Sequence, residues 1–324
     1  MGDKLIDIIT SKVLIGLVLS FIVSIVLGPI IIPMLTKLKF GQNIRKEGPQ
    51  SHFKKAGTPT IGGLIFIVSS LIVMLVMRYG PTEEGMIALY SLIAFGFIGF
   101  LDDILKIIKK DNEGLKAWQK MLLLVIFSTA ISIYGYYYLG NDIRIPFIGT
   151  KIPLGLLYIP FVIVYYAGTT NAVNLTDGLD GLASTVSVLV LTFFGVVAFI
   201  MGNEQISVFS FVLAGGLLGF LKFNAYPAKV FMGDTGSLAI GGAIATIALI
   251  LKMPLILIIV GGVYVFETLS VILQVSSYKL RGKRLFKMAP IHHHFEQVGW
   301  SETKIVTIFA LITVVLCFVG FIAL

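Results

Sequence analysis

Ten apolar stretches, separated by polar connections, constrain the fold of this chain. Most approach the ~20 residues that a helix needs to cross a bilayer, and all exceed the ~10 residues of a membrane barrel strand. The chain is 57% hydrophobic and 13% charged, whereas about a quarter of a soluble domain is charged. These features predict an all-α, polytopic integral membrane protein with one transmembrane domain over 1–324. The predicted spans are about 13–35, 61–77, 86–101, 121–139, 154–168, 182–201, 208–220, 238–251, 254–275 and 305–322.

The basic residues predict the orientation in the membrane. Of the 25 Lys and Arg residues, 19 lie in the connections that follow odd-numbered spans. By the positive-inside rule these connections face the cytoplasm, and ten spans then place both termini outside. The first span is expected to be a retained helix rather than a signal peptide. The net charge of +8 indicates anionic lipid or substrate rather than nucleic acid. A single cysteine, Cys317, excludes an intrachain disulfide and a cysteine metal site.

Two connections have a predicted shape of their own. The segment 140–153 alternates apolar and polar residues around Gly149-Thr150, which predicts a small extracytoplasmic β-hairpin. A straight helix over 254–279 would be about 39 Å long, more than the ~30 Å hydrocarbon core. Because it also contains Gly261-Gly262 and the polar residues Glu267 and Gln274, we predict a bent or broken ninth helix.

The most polar stretch, 171–183, follows the fifth span. Asn171, Asn174, Asp177 and Asp180 recur there at every third position, so a helical turn would place the two carboxylates on one face. No cation lies within the stretch. In so apolar a chain it therefore needs a metal ion, lysines or a polar substrate as its partner. A capped loop with turn-forming residues is the alternative.

Three further acids are candidates for a Mg²⁺ site. Asp102 and Asp103 are predicted to end the third span. Asp234 lies in the glycine-containing loop Gly233-Asp234-Thr235-Gly236. Mg²⁺ typically binds one or two carboxylates together with phosphate oxygens. The alternatives are a solvated helix end for Asp102-Asp103 and a helix cap for Asp234.

Each polar motif follows an odd-numbered span, which predicts one composite site on the cytoplasmic face. The last motif is the triplet of histidines at 292–294, expected in a loop. A zinc site is disfavoured, because three consecutive side chains do not converge readily on one metal and no cysteine is near. Contacts to phosphate or a role as proton carriers fit the histidines better. No P-loop motif is present.

These residues resemble a known family. Asp102-Asp103 and the 171–182 stretch are typical of the polyprenyl-phosphate N-acetylhexosamine-1-phosphate transferases. The segments 55–63, 231–237 and 290–296 are similar to the bacterial phospho-N-acetylmuramoyl-pentapeptide transferases, with Ile61 the one small departure. The resemblance covers nearly the whole chain. It implies transfer of phospho-N-acetylmuramoyl-pentapeptide from the UDP-linked precursor to undecaprenyl phosphate, with Mg²⁺, giving lipid I and UMP. It also implies ten helices in the bacterial cell membrane and a homodimer.

The resemblance also implies residue roles. The expected catalytic residues are Asp102, Asp103, Asp234 and His292, with Asp234 as the Mg²⁺ ligand and Asp102 as base or orienter of the lipid phosphate. The lysines are expected to hold phosphates, the Asn/Asp stretch and Phe231 the nucleotide, and Gln274 and the histidines the sugar side. The expected substrate-binding residues are Lys55, Thr60, Lys106, Lys110, Lys116, Asn171, Asn174, Asp177, Asp180, Asn224, Phe231, Gly233, Gln274, His293 and His294.

Several alternatives remain open at the level of sequence. The lipid phosphate either displaces UMP directly, which we favour, or an Asp carboxylate first takes up the phospho-sugar. The isoprenoid chain is expected in a groove between the fifth helix and the bent ninth. The rival functions are a sister transferase that uses UDP-N-acetylglucosamine and, from another class, a membrane transporter. The segment 290–296 disfavours the first, and polar residues gathered at one face disfavour the second.

Overall fold

The computed structural model of the protein describes residues 2–38, 55, 57–109 and 113–324, with side chains from residue 11 onward. The described chain is almost entirely helical, as predicted. Its elements are α1 (Gly2–Lys37), α2 (Leu64–Val76), α3 (Glu84–Lys109), α4 (Ala117–Tyr134), β1 (Asp142–Arg144), β2 (Lys151–Pro153), α5 (Tyr158–Thr176), α6 (Leu182–Ile200), α7 (Glu204–Asn224), α8 (Gly233–Ile250), α9 (Pro254–Val260), α10 (Gly262–Arg281), α11 (Ile291–Val298) and α12 (Glu302–Ile322).

Eight of the described helices are long and apolar enough to cross a membrane, and α9 with α10 makes nine if the bent pair is one span. Helices suit this composition because they satisfy every backbone hydrogen bond within the segment. The remaining predicted span, 61–77, corresponds to α2. This helix has 13 residues, about 20 Å at 1.5 Å per residue, which is shorter than the hydrocarbon core. The fold is that of a polytopic membrane protein.

Helix α8 lies at the centre of the packing, and nearly all its residues are buried. Small residues let its neighbours approach closely. A Cβ atom at Gly242 would lie 2.4 Å from the ring of Phe95 on α3, and one at Gly241 would lie 2.6 Å from the Cα atom of Thr170 on α5. Small residues at helix contacts are typical of membrane bundles, where close backbone packing drives association. The middle of α8 is thereby packed closely against α3 and α5.

The predicted break in the ninth span is confirmed. Helices α9 and α10 meet at an angle of 81°, with Gly261 between them. A glycine pair is a common cause of a sharp helix kink. Beyond Ser270 the side chains of α10 are partly or wholly exposed.

The segment predicted as a hairpin contains a two-stranded antiparallel ladder. Ile143 pairs with Ile152, Asp142 with Pro153 and Arg144 with Lys151. Lys252, which follows α8, binds Asp142 at 3.2 Å, so the ladder is fixed beside the end of the central helix.

Three boundaries differ from those predicted. Helix α3 continues to Lys109, so Asp102 and Asp103 lie inside the helix, where Lys106 offsets the carboxylates near its C-terminus. Asp177 and Asp180 do not share a helical turn, because α5 ends at Thr176 and they lie in the connection to α6. The histidine triplet lies on α11 and not in a loop, so its three side chains diverge by about 100° each.

Candidate active site

Three carboxylates from two helices meet at one end of α8. Asp102 and Asp103 come from α3 and Asp234 from the first turn of α8, and their oxygen atoms lie within 4.8 Å of one another. Asp102 and Asp103 are buried. Close packing makes this possible, because a Cβ atom at Gly99 would lie only 2.0 Å from the carbonyl oxygen of Asp234. The group can hold a metal ion, since hard cations such as Mg²⁺ prefer carboxylate oxygens.

Asp103 binds the first turn of α8. Its carboxylate accepts hydrogen bonds from the backbone N–H groups of Asp234 at 3.2 Å and Thr235 at 2.9 Å, and from the Thr235 hydroxyl at 2.7 Å. A carboxylate at a helix N-terminus satisfies free N–H groups and complements the helix dipole. Asp103 therefore fixes the position of Asp234 relative to α3.

Two lysines offset part of the negative charge of this acidic cluster. Lys106 lies 2.6 Å from Asp102 and 3.1 Å from Asp234, and Lys120 lies 2.8 Å from Asp234. Lys106 was predicted for the site, whereas Lys120 was counted only among the cytoplasmic cations. Lys120 lies at the start of α4, and the preceding segment 113–116 folds back over α3. The N–H of Leu115 in this segment donates to Asp102 at 2.8 Å.

Helix α5 contributes Asn174 to the same cluster. Its side-chain amide donates to Asp234 Oδ1 at 2.9 Å and to Ser237 Oγ at 2.8 Å. Thr60 and Gly233 lie at the edge, since a Cβ atom at Gly233 would be 2.6 Å from Asp103 Oδ2 and 2.8 Å from Thr60 Oγ1. Gly233 has a φ of +73°, which glycine adopts without strain.

The turn after α5 places two acids in different surroundings. Burial, and then the carboxylates of Asp234, Asp103 and Asp180, raise the pKa of Asp177 to about 8. Asp180 Oδ2 accepts from the N–H of Ala228 at 2.9 Å, and its Oδ1 binds Lys55 at 2.7 Å. The turn is thus tied to the loop that precedes α8.

Lys55 is held by two buried acids, Asp180 and Glu302 at 2.6 Å. Burial lowers the pKa of its ammonium group, but the hydrogen bonds to both carboxylates outweigh burial and hold this pKa above its ordinary value. Glu302, the first residue of α12, was not predicted. A lone glutamate at the start of an apolar span gives no indication that it binds a lysine 247 positions earlier.

The three histidines of α11 have different partners. His292 is fully buried, and its Nδ1 lies 3.0 Å from Glu267 on α10. His293 Nδ1 contacts Glu296 at 2.6 Å. His294 Nδ1 accepts from the N–H of Lys287 at 3.2 Å.

Three other predicted residues form hydrogen bonds to protein groups outside the acidic cluster. Asn224 is buried, accepts from Ser184 Oγ at 3.0 Å and donates to the Val230 carbonyl at 3.1 Å. Gln274 binds the backbone of 285–286 through both ends of its amide. Asn171 donates to the Ala167 carbonyl of its own helix at 2.7 Å.

Three predicted residues remain. Phe231 is half-buried and pairs through its backbone with Pro59 and Gly62 at 2.8 Å. Lys116 is exposed at the start of α4. Lys110 is outside the described residues.

Known proteins resemble this chain over its whole length. Residues 85–252 match the family described as Glycosyl transferase family 4. A phospho-N-acetylmuramoyl-pentapeptide-transferase of Clostridium botulinum is 68% identical over 324 residues, which is 100% of both chains. Proteins with the same description in Clostridium perfringens and Clostridium kluyveri are 64% identical, with 98% of each chain covered, and 57% identical, with 97% of this chain and 99% of the relative covered.

Proposed function

The chain belongs to the phospho-N-acetylmuramoyl-pentapeptide-transferases of glycosyl transferase family 4, and we propose from this premise the reaction that it catalyses. It transfers phospho-N-acetylmuramoyl-pentapeptide from the UDP-linked precursor to undecaprenyl phosphate, which gives lipid I and UMP. The observation that carries the proposal is the cluster of Asp102, Asp103 and Asp234 with Lys106 and Lys120. Three acids and two cations at one helix end suit a reaction between two phosphate groups.

The cofactor proposed for this cluster is Mg²⁺. The donor set fits, because all three groups are carboxylates and their oxygens are close enough to share one ion. Asp234 is the proposed ligand, supported by its position between Asp102 and Asn174. An ion held by these carboxylates would supply positive charge that offsets the diphosphate and the charge on the departing UMP.

The residues around the cluster have proposed roles in positioning. Lys106 and Lys120 bind the phosphate oxygens and so offset repulsion between the two anionic substrates. Asp102 orients the lipid phosphate or accepts its proton, and Asp103 holds the first turn of α8. In the direct route, a lipid phosphate oxygen forms a bond to the phosphorus that carries the sugar, and the bond from that phosphorus to the UMP oxygen breaks. Since Asp234 already contacts two cations, it is a poor nucleophile for the covalent alternative.

Further proposals concern the membrane arrangement. The 324 residues form one domain in the bacterial cell membrane, with α2 and the α9–α10 pair counted among ten crossings, both termini extracytoplasmic and the β1–β2 ladder outside. The isoprenoid chain lies along α5 and α10, supported by exposed apolar side chains such as Val164 and Leu269. A homodimer is proposed from the family resemblance.

UMP release by the purified protein in detergent tests the proposed function. We expect release only when UDP-N-acetylmuramoyl-pentapeptide, undecaprenyl phosphate and Mg²⁺ are all present, and we expect Asp234→Asn to abolish it. Release with UDP-N-acetylglucosamine instead would assign the chain to the sister reaction. Uptake of labelled precursor into sealed vesicles, without UMP release, would support a transporter.

A further inference from the structure

A buried acid lies against the first residue of the histidine triplet. Glu267 on α10 and His292 on α11 are both 0% exposed, and Oε2 of the glutamate is 3.0 Å from Nδ1 of the imidazole. Within the described chain, the other oxygen of Glu267 and Nε2 of His292 are buried without a hydrogen-bond partner. Such atoms are rare in folded proteins, and a catalytic role is one of the reasons for which they are retained.

The free nitrogen of His292 faces the turn between α5 and α6. A Cβ atom at Gly178 would lie 2.1 Å from Nε2 and 2.5 Å from Cε1, so only a residue without a side chain fits there. Gly178 is itself partly exposed and follows Asp177, whose pKa is raised by burial and then by the nearby carboxylates, including Asp234 and Asp103 of the acidic cluster. Nε2 therefore lies against the backbone at Gly178, on the side of the candidate active site.

The carboxylate determines which nitrogen of the ring carries a proton. A carboxylate accepts hydrogen bonds, so Nδ1 bears hydrogen and Nε2 of the neutral ring is left as an acceptor. Without Glu267, no hydrogen bond to Nδ1 holds the orientation of the ring or selects one of its two tautomers. An acid that orients a histidine in this way acts on chemistry without touching the substrate.

We propose that Glu267 is a positioning residue for the transfer reaction, and that it fixes the His292 ring with Nε2 directed at the Asp177–Gly178 segment. Movement of that segment on substrate binding uncovers Nε2. Catalytic hydrogen bonds often form only in the complex. The inference rests on the proposed function, because its readout is the release of UMP.

Glu267→Gln tests the proposal without leaving a cavity. Its amide can donate to Nδ1, which places the proton on Nε2. The amide oxygen and the Nε2–H group are then unpaired, so the number of unpaired buried groups is the same as in the wild type. We expect kcat to fall at least about tenfold and the KM of both substrates to stay within about threefold, because a wrong tautomer affects the reacting state more than binding. The Tm is expected to match that of the wild type. Normal kcat with a normal Tm would overturn the proposal.

A double-mutant cycle tests whether Glu267 acts through His292. Glu267→Ala is expected to lower kcat about 10²-fold, the usual effect of a misplaced catalytic group. In the His292→Ala background it should change kcat less than about threefold. Losses that multiply in the double variant would show that Glu267 acts independently of His292.

Two matched controls accompany these variants. Tyr264→Phe removes another buried hydrogen bond of α10, to Ser187 at 2.7 Å, and should leave kcat unchanged. Gly178→Ala pushes on the His292 ring and should lower kcat, whereas Gly168→Ala, where a Cβ meets nothing within 4 Å, should not. Wild-type protein that releases no UMP would refute the proposed function itself, whereas active wild type with an unaffected Glu267→Gln variant would refute this inference alone.

Discussion

Gly99→Ala is expected to impair the reaction, because it separates the two helices that form the acidic cluster. A Cβ atom at this position would lie 2.0 Å from the carbonyl oxygen of Asp234, 2.3 Å from its carbonyl carbon and 2.5 Å from the nitrogen of Thr235. These neighbours are backbone atoms at the start of a buried helix and have no rotamer to change. Since real Cβ contacts are not shorter than 3.0 Å, α3 and α8 must separate by about 1 Å in a close-packed interior.

That displacement predicts two measurable effects. A 1 Å error in the position of catalytic groups lowers kcat about 10²-fold. Overpacking of a core typically costs about 1–3 kcal/mol of folding free energy, so the variant should still fold. Because Asp102 and Asp103 move relative to Asp234, the Mg²⁺ concentration for half-maximal activity should also rise.

The assay is UMP release over a Mg²⁺ titration, with thermal unfolding measured on the same preparation. Gly168→Ala is the control, since it adds the same methyl group to an apolar helix where a Cβ meets no atom within 4 Å. A Gly99→Ala protein with wild-type kcat and wild-type Mg²⁺ requirement would refute the argument that this contact sets the geometry of the cluster.

Three further predictions concern the metal, pH and the lipid. Chelation of divalent cations should abolish UMP release and added Mg²⁺ restore it; release that persists in chelator contradicts the metal assignment. The pKa of Asp177 is about 8 in the fold and near 4 when unfolded, so its stabilising contribution is complete below about pH 4 and is lost as pH rises towards 8. In metal-free buffer the Tm of Asp177→Asn should therefore vary less with pH than that of wild type, and equal slopes would contradict the assigned environment. Leu269→Gln on α10 should raise the KM for undecaprenyl phosphate only; a changed nucleotide KM would refute the lipid groove.

The sequence was sufficient to predict the acidic cluster. Loop charges placed Asp102, Asp103 and Asp234 on one side of the membrane, and the family motifs joined them to Asn174. The break near Gly261 also followed from the sequence, because a straight helix would be too long and a glycine pair marks a weak point. The break depends on composition and local spacing, which a single chain displays directly, whereas the grouping of the acids with Asn174 also depends on the family resemblance.

The partners of the lysines and histidines depend on distant contacts. The pairing of Lys55 with Glu302 joins residues 247 positions apart, and neither residue has a neighbour in sequence that indicates the other. His292 was expected in a loop, yet it lies on helix α11 and is buried against Glu267. Its position depends on how α11 packs on α10, which apolar periodicity does not specify.

The place of Lys120 leads to a last prediction. Its ammonium group and that of Lys106 both contact Oδ2 of Asp234, the carboxylate proposed for Mg²⁺. Like charges in contact cost several kcal/mol, so Lys120→Met should tighten Mg²⁺ binding at least about tenfold in the absence of substrate. The same change removes a cation proposed for the phosphates and should raise the KM for the nucleotide substrate.

Calorimetric titration of the purified protein with Mg²⁺ measures the first effect, and UMP release measures the second. Lys151→Met, which removes the same charge from strand β2, controls for net charge. Tighter binding of Mg²⁺ together with a higher KM for the nucleotide is expected if Lys120 leaves Asp234 and binds the substrate phosphates during the reaction. If Lys120→Met weakened Mg²⁺ and nucleotide together, the lysine would instead be needed to hold Asp234 in place, and this change of partner would be refuted.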